Sequence, residues 1–180
     1  MRWDKVGKKT KGVALTPNLN RFREDAVTFE NAYAQASWTL PSFTSFFTGL
    51  YEFNHQVTAG AVIDAQRPFL IENFYPHYMT VSINGGTWLS GKIGNSRGFD
   101  SCLLGSRTKD PFAARTFFEK AVAFMEQNTV PDLFMFLHTY AIHAPYNPPR
   151  PFLLRLKNPV SANTIPMPGH SSTKKTFPPL

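Results

Sequence analysis

A single cysteine, Cys102, in 180 residues means that no internal disulfide can staple this chain, so its stability has to come from packing. Cys102 reads as a core residue or an exposed bystander, and the redox character of the compartment is left open. No apolar stretch reaches the roughly 18 residues that a membrane span needs. Met1 begins no charged-then-apolar leader either, so a cytoplasmic location is the default expectation. Acidic side chains are scarce, 12 against 19 lysines and arginines, for a net charge of +7. That excess resembles a nucleic-acid signal until it is located. Residues 1–12 carry five basic residues against Asp4, residues 150–180 carry five and no acid, and residues 13–149 carry nine basic against eleven acidic. The basicity belongs to the ends. No groove-reading helix, zinc-ligand spacing or aromatic stacking ribbon accompanies it, so a specific nucleic-acid partner is not expected.

What is present is concentrated in Ala36 to Tyr51, ASWTLPSFTSFFTGLY. Thr39 stands directly before Leu40-Pro41-Ser42, and Phe43, Phe46, Phe47 and Leu50 follow at offsets of 3, 4 and 7. This predicts a helix with Pro in its first turn, where a missing N–H bonds nothing in any case, and with Gly49 at its end. The free N–H groups of such a first turn, with the positive end of the helix dipole, favour a sulfate or phosphate oxygen beside Thr39. A plain helix cap is the commoner role for a threonine in this pattern.

The rest of the body alternates strands and helices, which predicts an α/β fold. Thr16 and Pro17 open a short helix to about Asp25; Val27 to Ala34 alternates apolar and polar as a strand does; Met79 to Ile83 is a second strand before the turn Asn84-Gly85-Gly86. Asp110-Pro111 opens the clearest helix, with Ala114, Phe117, Phe118, Ala121, Val122 and Met125 in helical register, ending near Asn128. Leu133 to Leu137 is a continuous apolar run of the kind buried in a parallel sheet, with His138 and His143 at and just past its carboxyl end, where open α/β sheets bind ligands. Nine of the fifteen prolines lie in residues 145–180. No helical or strand period survives there beyond Ser161, so the chain divides into a basic arm over 1–12, a body over 13–149 and a Pro-rich basic tail over 150–180 that is expected to be disordered.

Five segments occur in a familiar order: Thr16-Pro17-Asn18-Leu19-Asn20-Arg21-Phe22, Val27-Thr28-Phe29-Glu30-Asn31-Ala32-Tyr33-Ala34, the Thr39 helix, Arg97-Gly98-Phe99-Asp100, and His143-Ala144-Pro145-Tyr146. From about Arg2 to Pro149 the chain resembles the N-terminal part of a sulfatase-type hydrolase of the alkaline phosphatase superfamily. The resemblance implies a partial alkaline-phosphatase-like sandwich with a mainly parallel sheet flanked by helices. It also implies a sulfate or phosphate ester, small or carried on a glycan, as substrate. Thr39 falls where most sulfatases carry the Cys or Ser that becomes formylglycine, in a Cys/Ser-x-Pro-x-Arg signature. Here the segment is Thr39-Leu40-Pro41-Ser42-Phe43, so formylglycine chemistry is not expected.

A threonine is the nucleophile, and a metal ligand, in phosphodiesterase and phosphoethanolamine-transferase relatives. The resemblance therefore implies Thr39 in both roles and His143 as the residue that faces the ester. Lys92 resembles the substrate-binding lysine of some arylsulfatases, although its spacing to Gly98-Phe99-Asp100 is short. The family's divalent ion, commonly Ca²⁺, is held by acidic residues on a first strand and by a later Asp pair. Those positions are expected upstream of Met1 and beyond Leu180, with Asp4 matching a non-ligand acid. Ca²⁺ takes six to eight oxygen ligands, which Thr39 alone cannot supply. The expectation is thus a sulfatase-like hydrolase in an incomplete, catalytically impaired form. The alternatives are a non-catalytic remnant, or a metal-dependent phosphodiesterase or phosphotransferase-like protein with a Thr nucleophile.

Overall fold

The computed structural model describes residues 3–85, 87–89, 91–104, 113–130, 132–144, 146 and 148–157. The regular elements in chain order are β1 (Lys9–Thr10), β2 (Val13–Ala14), α1 (Pro17–Glu24), α2 (Thr39–Thr48), α3 (Glu52–His55), β3 (Met79–Asn84), β4 (Ser101–Leu104), α4 (Ala113–Gln127), β5 (Leu133–His138) and α5 (Arg150–Lys157). They fall into two compact units, Val27–Pro148 and Arg2–Ala26 with Pro149–Leu180.

The larger unit is built on a parallel sheet ordered β4-β3-β5. Side chains alternate across it, as the pleat requires. Val81 and Ile83 of β3 join Leu133 and Met135 of β5 beneath Phe117 and Ala121 of α4. The opposite face of β5 presents Phe134 and Phe136 to a second cluster in which Leu40 and Phe47 of α2 meet Val57, Ile63, Phe69 and Ile71. A sheet with α2 on one face and α4 on the other is the expected α/β sandwich.

The direction of α2 follows from its ring contacts. Phe43 meets Phe136 at 5.5 Å and His138 at 5.2 Å; one turn later Phe47 meets Phe136 at 5.1 Å, Phe99 at 6.2 Å and Phe69 at 5.1 Å. Moving along α2 thus moves back down β5, so the helix runs antiparallel to the strands and begins at their carboxyl edge. Within α2, Thr44 and Thr48 return their hydroxyl hydrogens to the carbonyls of Leu40 and Thr44, which satisfies two buried polar groups. Gly49, at φ 70°, ends the helix in the left-handed region.

Arg97-Gly98-Phe99-Asp100 locks the opposite, amino edge. The Asp100 carboxylate accepts from the Thr80 N–H at 2.8 Å where β3 begins. Arg97 spreads its guanidinium over the Asp64, Ala65 and Arg67 carbonyls, pairs with Glu72 at 2.8 Å, and lies 4.9 Å from the Phe69 ring centre. Gly98 has φ 75°, and a Cβ there would stand 2.8 Å from the Glu72 nitrogen, so only glycine fits.

Two expectations change. Val27 to Ala34 forms no strand: Val27, Phe29 and Tyr33, one face of the alternation, are all more than 80% exposed. Alternation specifies which face a strand would bury, but a strand also needs a ladder partner, and none of the described strands pairs with this segment. The third strand of the sheet is instead β4, which the sequence reading left out. The Pro-rich stretch also begins with α5, so residues 150–157 are helical where a disordered tail was expected. Asp110-Pro111, Gly86, Pro131, Pro145 and residues 158–180 lie outside the described residues.

Candidate active site

Thr39 is the first residue of α2, with Trp38 as the capping residue in an extended conformation and no side-chain cap bond. The Ser42 N–H donates to the Trp38 carbonyl at 3.3 Å, and helix geometry leaves the N–H groups of Thr39 and Leu40 without an intrahelical acceptor, Pro41 having none to offer. Thr39 is half-buried. The helix start is braced by Trp38, whose ring meets Trp88 edge-on at 5.5 Å in the 3-10 turn Thr87–Leu89 that follows β3.

Three chain segments converge on this edge. Asn84 and His138 are register partners at the ends of β3 and β5, and the Gly85 N–H donates to the His138 carbonyl at 3.0 Å. The His138 ring touches Phe43 of α2 on one side and Tyr140 at 4.8 Å on the other. Tyr140 in turn meets the His143 ring at 5.7 Å, and the His143 N–H closes the turn onto the Tyr140 carbonyl at 2.8 Å. A line of rings, Phe43, His138, Tyr140, His143, therefore runs from the first turns of α2 to the loop after β5. Burial lowers the pKa of His138 from its ordinary value by disfavouring the charged ring.

His143 is exposed, and its Nδ1 lies 2.9 Å from the Ala144 carbonyl. A carbonyl can only accept, so Nδ1 carries the hydrogen and Nε2 presents a lone pair. That is the tautomer able to take a proton or to contact an ester oxygen once protonated. Lys92 is exposed on the 3-10 turn Gly91–Ile93, which is tied by its Ile93 carbonyl to the Ile63 N–H rather than to α2. Thr39 and His143 both belong to the carboxyl edge; Lys92 sits on the chain's way back to the amino edge.

Two candidate oxygen donors, Asp100 and Asp64, are committed elsewhere. Asp100 is bonded to Thr80 at the amino edge, the wrong end of the sheet for Thr39. Asp64 accepts from the Gln66 N–H at 2.9 Å and stands 4.0 Å from Arg67. Among the described residues no three His, Cys, Asp or Glu side chains come together. The described residues around Thr39 therefore do not fit a Ca²⁺ ion.

One pair that sequence reasoning missed looks catalytic and is not. Ser45 Oγ lies 3.0 Å from His55 Nε2, both buried. His55 Nδ1 accepts the Val57 N–H at 3.0 Å, so the ring hydrogen is on Nε2 and is donated toward Ser45. A histidine that donates to a serine cannot be its base, and this pair fastens α2 to α3. Nothing in the spacing of Ser45 and His55 signals that pairing, because α3 and its exit loop create it. Cys102 is exposed on β4, and desolvation pushes its thiol above the ordinary value, away from nucleophilic use.

A family model described as Sulfatase matches residues 1–158. No curated protein matches the chain. No helix among the described residues is long and apolar enough to cross a membrane.

Proposed function

The chain belongs to the sulfatase family, and on that premise we propose that it is a sulfatase-like ester hydrolase domain. Thr39 is its nucleophile or anion-site residue, His143 faces the ester, and residues 1–180 by themselves are catalytically impaired. The observation that carries the reading is the placement of Thr39 as the first residue of a helix that starts at the carboxyl edge of a parallel sheet. The N–H groups of Thr39 and Leu40 offer two hydrogen bonds to an oxygen of a tetrahedral sulfate or phosphate. His143 Nε2 serves as the contact on the leaving-group side. Lys92 is a weaker candidate for substrate binding.

Sulfatases act on sulfate esters and generally use a divalent metal. Such an ion supplies charge stabilisation on the transferring group, typically several kcal/mol. The described donor set does not fit it, so what these residues offer by themselves is anion binding and orientation, and impaired turnover follows. A Thr in place of Cys or Ser, with Phe43 where the family signature has Arg, favours phosphodiester over sulfate chemistry as the second reading.

The test is turnover of aryl sulfates and aryl phosphodiesters by the full chain with Ca²⁺, Mg²⁺, Mn²⁺ or Zn²⁺, beside Thr39→Ala. The substitution removes no cap bond, so stability should change by no more than about 0.5 kcal/mol. No metal-dependent turnover above background is the expected result. Turnover that needs added metal and vanishes in Thr39→Ala would overturn the impairment while upholding Thr39, and the preferred ester would decide between the two substrate readings.

A further inference from the structure

His143 rides on a loop that holds to the body of the protein only at its root. Ala141, Ile142, His143 and Ala144 are all exposed, Ile142 by 55%, whereas Thr139 and Tyr140 are half-buried. An apolar isoleucine is left in water while a tyrosine two residues earlier is tucked in. Tyr140 is therefore the anchor of this loop, and its seat is unusual.

The Tyr140 ring lies on Gly85, one residue past the end of β3. A Cβ built on Gly85 would stand 2.6 Å from Tyr140 Cδ2 and 3.2 Å from Cε2. Gly85 does not have a left-handed φ, so the ring above it, not the backbone, is what calls for glycine there. Gly85 is itself pinned, its N–H donating to the His138 carbonyl at 3.0 Å. Two further rings flank Tyr140, His138 at 4.8 Å and 82° and His143 at 5.7 Å and 70°, the edge-to-face geometry that ring pairs prefer. His138 in turn rests on Phe43 of α2, the helix that begins at Thr39. An exposed histidine ordinarily samples several rotamers. Here the His143 backbone is held by its N–H on the Tyr140 carbonyl at 2.8 Å, its Nδ1 by the Ala144 carbonyl at 2.9 Å, and one flank of its ring by Tyr140. Those contacts leave Nε2 as the ring nitrogen offered to a bound ester.

We propose that Tyr140 is the positioning residue of this site: seated on Gly85 and against His138, its ring holds the His143 imidazole in the orientation that meets the ester. The proposal rests on the ester-facing reading of His143, and Tyr140 itself touches no reacting atom. A side chain already held in its working rotamer does not have to be ordered when the ester binds, which is worth about three- to tenfold in affinity. The contacts with Gly85, His138 and His143 are made by the ring, so phenylalanine should serve as well as tyrosine.

The experiment measures binding of 4-nitrophenyl sulfate to the full chain without added metal, and the tautomer of His143 at pH 8 from the nitrogen shifts of its ring. Parent, Tyr140→Phe, Tyr140→Leu, Gly85→Ala, His143→Ala and the double variant Tyr140→Leu/His143→Ala are compared after circular dichroism shows each folded. Should Gly85→Ala not fold, Tyr140→Leu decides. Tyr140→Leu and Gly85→Ala should weaken binding about three- to tenfold and let His143 drift to the tautomer mixture of a free imidazole. Tyr140→Phe should lose less than about twofold and keep the Nδ1–H tautomer. The double variant should bind no more weakly than His143→Ala alone, because Tyr140 acts through His143 and has nothing left to act on. Additive losses in that cycle would overturn the proposal, as would parent-like affinity and tautomer in Tyr140→Leu beside a weakened His143→Ala. Parent-like binding by His143→Ala would refute the ester-facing role of His143 instead, so the two failures are told apart.

Discussion

Acidification should weaken this protein through His55, and the sign can be worked from its contacts. The ring is 5% exposed and makes two bonds of 3.0 Å, accepting the Val57 N–H on Nδ1 and donating from Nε2 to Ser45. A second proton has to go on Nδ1, where it would point at an N–H that is already a donor. Burial accordingly pushes His55 below its ordinary value, opposed by the Pro41 carbonyl and Glu52 and reinforced by Arg67. With the folded-state pKa depressed, the unfolded chain takes the proton first. The contribution is complete above the unfolded value of about 6.5, falls as pH drops through that point, and levels off below the folded value. His138 is shifted in the same direction, so the total acid response has two sources.

Substitution separates them. His55→Asn keeps an acceptor near Nδ1 and loses the Ser45 bond, for a cost of about 1–2 kcal/mol at pH 8. His55→Ala loses both bonds, strands a buried N–H and opens a void, for about 3–5 kcal/mol. Urea unfolding at pH 8 and pH 5.5, compared at constant m, gives both numbers. The reasoning fails if wild type and His55→Asn lose equal stability between those pH values, or if His55→Ala costs less than about 1 kcal/mol.

At the amino edge, Gly98→Ala should cost about 2–4 kcal/mol, combining a left-handed φ with a Cβ driven into the Glu72 backbone, whereas Gly60→Ala, at φ 86° with open space, should cost about 1 kcal/mol. Equal costs in thermal unfolding would show that the contact is not what fixes Gly98. Arg97→Lys should destabilise by about 1–2 kcal/mol, because one ammonium cannot reach three carbonyls and a carboxylate in the planar arrangement the guanidinium holds. It should also speed hydrogen exchange across residues 64–72, and unchanged exchange there would refute the clamp.

Periodicity and end signals made much of this fold legible. The apolar spacing from Leu40 to Phe47 and from Phe117 to Ala121, the run Leu133–Leu137, and Gly49 after the last turn of α2 are properties of adjacent residues, and each fixes an element that appears as expected. The motif order also located the family, while the local pattern set Thr39 at a helix start and His143 beyond a strand end.

Pairing between distant segments was decided only in three dimensions. Val27–Ala34 has the alternation of a strand and no ladder, while Ser101–Leu104, with no clear alternation, becomes a strand because β3 offers it a free edge. Arg97 to Asp100 was visible as a motif, yet its work as a clamp depends on Thr80, Glu72 and the carbonyls of residues 64–67 arriving from elsewhere. The tautomer of His55 depends on which neighbour faces each ring nitrogen, and so does that of His143. A sequence carries local preference within a few residues of each position; partners, directions of approach and protonation states are set by groups brought together across the fold, which is why those had to wait for the tertiary structure.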